Sequence, residues 1–393
     1  MRTRKLHGIA ATLAVLAGGC DVLLGLEHRE LFTPDGGNGS TTTGTTATST
    51  TSVSSTGAGG TGGSSWSSSG GIECVPGQKQ CAENLPQSCD GNGHWQDGAV
   101  CPAETPLCAA GVCGVPPSCV GLPSNCGPGG NESCCASPIL PKGTYNRSND
   151  PSYPATVRVF RLDRFQVTVG RFRKFLLSYP ANKPNLGDGE HPDIAGSGWQ
   201  DAWDGSLVAD QAALRVAVNC GTQNQTWTDP VGGNENKPMN CIDWYEAFAF
   251  CAWDGGVLPT EAEWNYAAAG GDEQRQYPWS SPPGSTTIDS TFAVYNGAAI
   301  ATVGSKSSKG DGRWGQADLA GGVSEWNLDW LVMPYLVPPC DECAVLSQGN
   351  AVSRVTRNGG WFNAASGLLS SVRYGKAPAG RGSLVGARCA RNP

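Results

Sequence analysis

Residues 240–271 read NCIDWYEAFAFCAWDGGVLPTEAEWNYAAAGG, and the rest of the chain is best read outward from them. The stretch predicts two short helices around a tight turn. Asp243 is followed three residues later by Glu246, and Thr260 by Glu263, which is the reciprocal spacing of a capping box, twice. Asp254-Gly255-Gly256 supplies backbone that bends cheaply between the helices, and Gly270-Gly271 supplies a stop after the second. Trp244, Phe248 and Trp253 in the first helix, with Trp264 and Tyr266 in the second, predict packing against a domain interior. Such caps serve an inactive protein as well as an active one.

Upstream, the Val- and Phe-rich run Thr156 to Phe165 predicts a strand through Val157 to Leu162. A helix from Val169 to Leu177 follows, with Val169, Phe172 and Leu176 on one face. Pro180 to Asp204 is loop-like and carries Trp199 and Trp203. Exposed, they would mark a ligand surface; buried, they would build the interior of a loop-rich fold, which is the preferred reading. Leu207 to Val218 predicts a brief helix. Cys241 pairs either with Cys220 or with Cys251, and the second is awkward if both sit on one regular helix, where residues ten apart are about 15 Å distant. Cys220–Cys241 and Cys251–Cys389 are preferred. Cys340 and Cys343, in PCDEC, close a small loop; as CxxC they are a weak redox or metal signal.

LPTEAEWNYAAAGG at Leu258–Gly271 resembles the signature of the formylglycine-generating enzyme and sulfatase-modifying factor family. FRLDRFQVTVGRFRKFL, DLAGGVSEW and GARCARNP match in family order, so the resemblance covers residues 139–393. It implies an α+β, loop-rich fold of C-type-lectin-like kind. It also implies a calcium site at DLAGGVSEW, where Asp318 and Glu325 keep the side-chain ligand positions and Gly321 and Val323 the backbone ones. Gly322 and Ser324 replace the usual asparagine and tryptophan. The alternative is a turn held by hydrogen bonds from the two acids. Oxygen-dependent members carry two copper-binding cysteines after a strand like Arg354–Phe362, RVTRNGGWF. Asn363 and Leu368 stand there, and no cysteine lies between Cys343 and Cys389, so copper is not expected. The three-histidine iron site of another branch is excluded, because only His94 and His191 fall in folded regions. A mixed carboxylate site has no recognisable ligand set, and no GxSxG, Walker or HExxH motif occurs.

The chain has 393 residues, a formal net charge of −7 and 17 cysteines. No basic block suits a nucleic-acid partner. Residues 1–20 predict an export signal: Arg2, Arg4 and Lys5, an apolar core, then LAGGC, which resembles a bacterial lipoprotein cleavage site with Cys20 lipidated. Residues 21–72 form a Gly/Ser/Thr-rich tether whose disordered part spans roughly 30–35 Å. Residues 73–137 hold ten cysteines and little apolar material, a segment stapled by disulfides. Zinc at Cys108, Cys113 and His94 is the competing reading. Residues 138–393 form the main domain. The expected location is the cell envelope, anchored to membrane through Cys20.

The preferred function is binding of a peptide, protein or glycan by a member of the superfamily that lacks the copper–cysteine centre. Trp199, Trp203, Trp361, Asn363 and Arg373 are the candidate ligand residues, since aromatic faces stack and Asn and Arg give directional polar contacts. The alternative is a divergent oxidoreductase with a different metal site.

Overall fold

A computed structural model describes residues 72–393 except Glu83, Thr222 and residues 337–339. The export signal, Cys20 and nearly all of the tether lie outside the described residues. The cysteine-rich segment builds its strands on crosslinks. β1 (Lys79–Ala82), β2 (Leu85–Cys89) and β3 (Trp95–Asp97) form an antiparallel meander. β4 (Leu107–Ala109) and β5 (Val112–Gly114) form a hairpin whose two turn residues, Ala110 and Gly111, both have positive φ, the geometry that matches strand twist. Disulfides join Cys74–Cys89, Cys81–Cys108, Cys101–Cys113, Cys119–Cys135 and Cys126–Cys134. Cys108 and Cys113 are therefore bridging cysteines and not zinc ligands, and adjacent Cys134 and Cys135 have different partners.

The main domain begins with β6 (Ile139–Leu140), β7 (Gly143–Asn146), β8 (Pro154–Val157) and β9 (Phe160–Leu162). The single strand expected through Val157–Leu162 is thus two. Arg158 and Val159 break it, because β8 pairs with β7 while β9 pairs with β6. Helix α1 (Val169–Ser178) starts where Thr168 accepts the Arg171 N–H, and α2 (Gln211–Val218) starts at Asp210. Helices α3 (Trp244–Trp253) and α4 (Glu261–Ala269) open on complete capping boxes, Asp243/Glu246 and Thr260/Glu263, and α4 ends on Gly270 at φ 65°. There follow β10 (Ser324–Trp330), β11 (Cys340–Asp341), β12 (Arg354–Arg357), β13 (Tyr374–Lys376), β14 (Val385–Gly386) and β15 (Ala390–Arg391). The main sheet runs β13-β12-β10-β14, with β10 and β14 parallel and the other pairs antiparallel. Two small sheets, β11-β8-β7 and β15-β9-β6, lie beside it in a mixed α/β, loop-rich domain.

The largest core packs α1 against α3. Phe172 and Phe175 meet Phe250, while Trp199, Trp203, Trp244 and Phe248 make a connected aromatic cluster. A second core collects Tyr145, Trp264 and Tyr266 around α4. Between them lies a fully buried set of four charges. Asp254, at the end of α3, and Asp163 each pair with both Arg171 and Arg391. The same set holds the cysteine-rich segment: Asp254 accepts the Ser118 N–H at 2.9 Å, and Arg171 donates to Ser118 Oγ and to the Cys134 carbonyl. Cys220–Cys241, Cys251–Cys389 and Cys340–Cys343 complete the crosslinks.

Candidate functional site

His191, Glu263 and Glu342 come from three separate parts of the chain and meet in the interior. Each arrives with its orientation already set. His191 sits in the loop before Trp199, where its backbone N–H donates to Ser197 Oγ and its Nδ1 accepts the Asp193 N–H. Glu263 is the third residue of α4. Its Oε2 accepts the Thr260 N–H at 2.9 Å, completing the cap, and this leaves Oε1 3.2 Å from His191 Nε2. Glu342 lies within the loop closed by Cys340–Cys343. Its φ of 42° is in the left-handed region, which a non-glycine residue adopts at a cost. Its N–H donates to the Thr156 carbonyl, and its carboxylate accepts the Arg158 N–H.

One ligand atom from each of the three lies within 4.8 Å of the other two. They border a cavity of about 10 Å³ that Arg158, Asp193 and Arg391 also line, the size of one water or one ion. The electrostatics are those of crowded acids. Burial, then the charge of Glu263, push the Glu342 carboxyl up to about 8. Burial alone would lower the His191 pKa; the charge and hydrogen bond of Glu263 overcome it and raise it. At neutral pH the cluster therefore retains protons that a divalent cation would displace. One imidazole nitrogen and two carboxylates form a mixed donor set for a divalent transition metal.

Sequence reasoning missed this cluster. His191 and Glu263 are 72 residues apart, and no spacing rule joins them. Glu263 was legible only as a cap, and Glu342 only as one of the two acids inside PCDEC. The one available signal was that a lone histidine and an acid between two cysteines both had no other assignment.

The residues read as a calcium site do converge. The carbonyls of Asp318, Gly321 and Val323 all accept Asn358 Nδ2, at 2.8–3.0 Å. Glu325 is fully buried and receives Arg388 through both oxygens, Trp264 Nε1 at 2.6 Å and Gln166 Nε2 at 2.8 Å. Asp318 accepts the Gly304 N–H, and burial raises its carboxyl to about 6. The turn is thus held by hydrogen bonds. Gln166 Nε2 adds bonds to the Val323 carbonyl and Glu325 Oε1, and Gln166 Oε1 is a buried acceptor without a hydrogen-bond partner among the described residues.

The five ligand-surface candidates fall into three sets of contacts. Trp199 is fully buried, with Nε1 on Asp204, and packs edge-on to the half-buried Trp203. Trp361 and Asn363 share an exposed corner. Trp361 Nε1 donates to the Ser383 carbonyl, Asn363 Oδ1 accepts the Gly360 N–H, and neighbouring Phe362 is 65% exposed. Arg373 is committed to Glu261 by two bonds of 2.6 Å, which Arg357 shares. At the positions expected for a copper-binding thiol pair, Asn363 makes these turn contacts and Leu368 is buried. All sixteen cysteines from Cys74 onward are in disulfides.

Residues 128–393 match the family described as the sulfatase-modifying factor enzyme 1-like domain. The chain belongs to this family. Among its relatives is the formylglycine-generating enzyme of Streptomyces coelicolor, 28% identical over 268 residues, covering 62% of this chain and 81% of that enzyme. The inactive C-alpha-formylglycine-generating enzyme 2 of Bos taurus is 26% identical over 288 residues, covering 64% of this chain and 86% of that protein. The serine/threonine-protein kinase pkn1 of Chlamydia caviae is 31% identical over 160 residues, or 40% of this chain, which spans only a quarter of the kinase. Within this sulfatase-modifying factor domain, no described helix is long and apolar enough to cross a membrane. The eight disulfides of the described residues, three of them in the main domain and five in the cysteine-rich segment before it, belong to an oxidising, extracytoplasmic compartment.

Proposed function

We propose that this sulfatase-modifying factor domain is a divergent oxidoreductase whose divalent metal is held by His191, Glu263 and Glu342 in place of a thiol pair. The observation that supports it is the buried convergence of those three ligand atoms on an ion-sized cavity. Relatives named as formylglycine-generating enzymes set the expectation of oxidation, and the nitrogen–oxygen donor set is compatible with iron or manganese. Arg158 and Asp193 pair at the outer side of the cavity. A surface ion pair of that kind contributes only about 0–1 kcal/mol, so it parts readily for a substrate. In the same proposal calcium is a structural ion that Asp318, Gly321, Val323 and Glu325 would hold. Cys20 is the lipid anchor to the cell envelope.

The test is metal loading of the full chain with ferrous iron or manganese, without calcium and then with it. The expected result is one equivalent of transition metal, lost in His191→Ala and Glu342→Gln but kept in Asp318→Asn. Iron-loaded protein should show a reversible one-electron couple. A folded chain that binds neither metal, or binds it equally well in both ligand variants, overturns the proposal. A second reading, ligand binding without turnover, draws on the exposed Trp361–Phe362 corner. It is favoured if a peptide or glycan is retained by metal-free protein and lost in Trp361→Ala.

A further inference from the structure

Arg354 is 2% exposed, and among the described residues no carboxylate lies within ion-pair distance of it. Its only hydrogen bond there is from Nη1 to the Leu328 carbonyl, and its Nε has no partner. Three tryptophans surround the guanidinium. Its centre lies 3.8 Å from the Trp244 ring, 4.0 Å from Trp330 and 5.7 Å from Trp203. Burial pulls the group down to about 9, so it keeps its charge at neutral pH. Asp329, the carboxylate with the largest influence on it, is already occupied by the backbone N–H groups of Glu261 and Val345.

A buried cation without a counter-charge is costly, and ring quadrupoles offset only part of that cost. Arg171, Arg357, Arg388 and Arg391 each have an acid, and Arg161, equally buried and without one, donates to the Ser137 and Cys101 carbonyls and lines no cavity of this size. Arg354 instead forms the wall of a cavity of about 340 Å³, together with Trp203, Ser197, Gln200, Leu346 and Ser347. That is at the small end of the roughly 300–1,000 Å³ range of ligand cavities.

We infer that this cavity is a binding site for a small organic carboxylate with a flat apolar body. The fork of N–H donors on a guanidinium matches a carboxylate, and its planar face stacks where an ammonium would not. The half-buried Trp203 ring offers a surface for the apolar part, and the Gln200 and Ser347 side chains offer polar contacts at the rim. Inorganic phosphate, strongly hydrated, has no use for the tryptophan wall. The site shares the 191–203 loop with His191, through Ser197, but needs no metal.

The experiment is calorimetric titration of the metal-free full chain with benzoate, and with benzamide, acetate and phosphate as comparators. Benzoate is expected to bind once per chain, at least tenfold tighter than uncharged benzamide and than ringless acetate. Arg354→Gln should abolish the binding. Because that variant removes a buried group, Ser347→Trp is the companion: it fills the rim from an exposed position, leaves Arg354 in place and should weaken benzoate tenfold or more. The inference is overturned if folded protein does not bind benzoate, or if benzamide binds as well. It is also overturned if phosphate or acetate binds as tightly, which would make the site a counter-ion site only, or if Ser347→Trp has no effect.

Discussion

Glu342 is the residue whose titration bears most directly on the candidate metal site. Its carboxyl moves from 4.5 to about 8 on folding. Between those values the folded chain holds a proton that the unfolded chain releases. Stability is therefore fully present below about pH 4.5 and declines as pH rises toward 8. His191, raised above 6.5, adds to the decline with the same sign. In chelator, urea denaturation of the wild type across pH 5–8 should show this slope, and Glu342→Gln should remove the Glu342 part. Metal affinity should run the opposite way and rise with pH, since the ion competes with those protons. A stability profile identical in the two proteins would show that Glu342 does not hold its proton. No reading of the sequence reaches this behaviour, because the groups that perturb Glu342 come from Glu263, His191 and Asp193, each far away along the chain.

The elements were the most legible layer. Asp243/Glu246 and Thr260/Glu263 are local patterns, and local patterns survive folding when both partners sit on one turn. The pairings Cys220–Cys241 and Cys251–Cys389 are present as preferred, although Cys241 precedes α3 and shares no helix with Cys251, so helix spacing was not what decided them. The split of Val157–Leu162 into β8 and β9 was not legible, because it depends on which distant strand each half meets. The α4 cap links this layer to the site. Thr260 Oγ1 accepts the Glu263 N–H at 3.0 Å, and Glu263 returns Oε2 to the Thr260 N–H. Thr260→Ala should destabilise the domain by about 1 kcal/mol in thermal or chemical unfolding. It should also loosen the acid that faces His191 and lower transition-metal affinity, whereas Asp210→Ala at the α2 cap should cost a similar stability and leave metal affinity alone.

At the scale of the whole molecule, the buried Asp163–Arg171–Asp254–Arg391 set joins three regions that the sequence presents as separate. Asp254 accepts from Arg171 Nη2 at 2.6 Å, Arg391 Nη2 at 2.8 Å and Ser118 N at 2.9 Å. Asp254→Ala would leave two buried guanidiniums on one acid, a loss of about 3–5 kcal/mol. Limited proteolysis should then cut within residues 114–137 faster than in the wild type. Undiminished stability in that variant would show that the disulfides alone dock the segment.

Arg388, Cys389 and Arg391 are spread over four positions, yet each completes something begun far upstream: the acid Glu325, the thiol of Cys251, and the acids Asp163 and Asp254. During synthesis Cys251 meets its partner only after 138 further residues have been made. Until residues 388–391 emerge, Glu325 lacks Arg388, and Asp163 and Asp254 have Arg171 alone as their cation. A chain that stops short of residue 388 thus has neither the Cys251 bridge nor the Arg388 and Arg391 ion pairs.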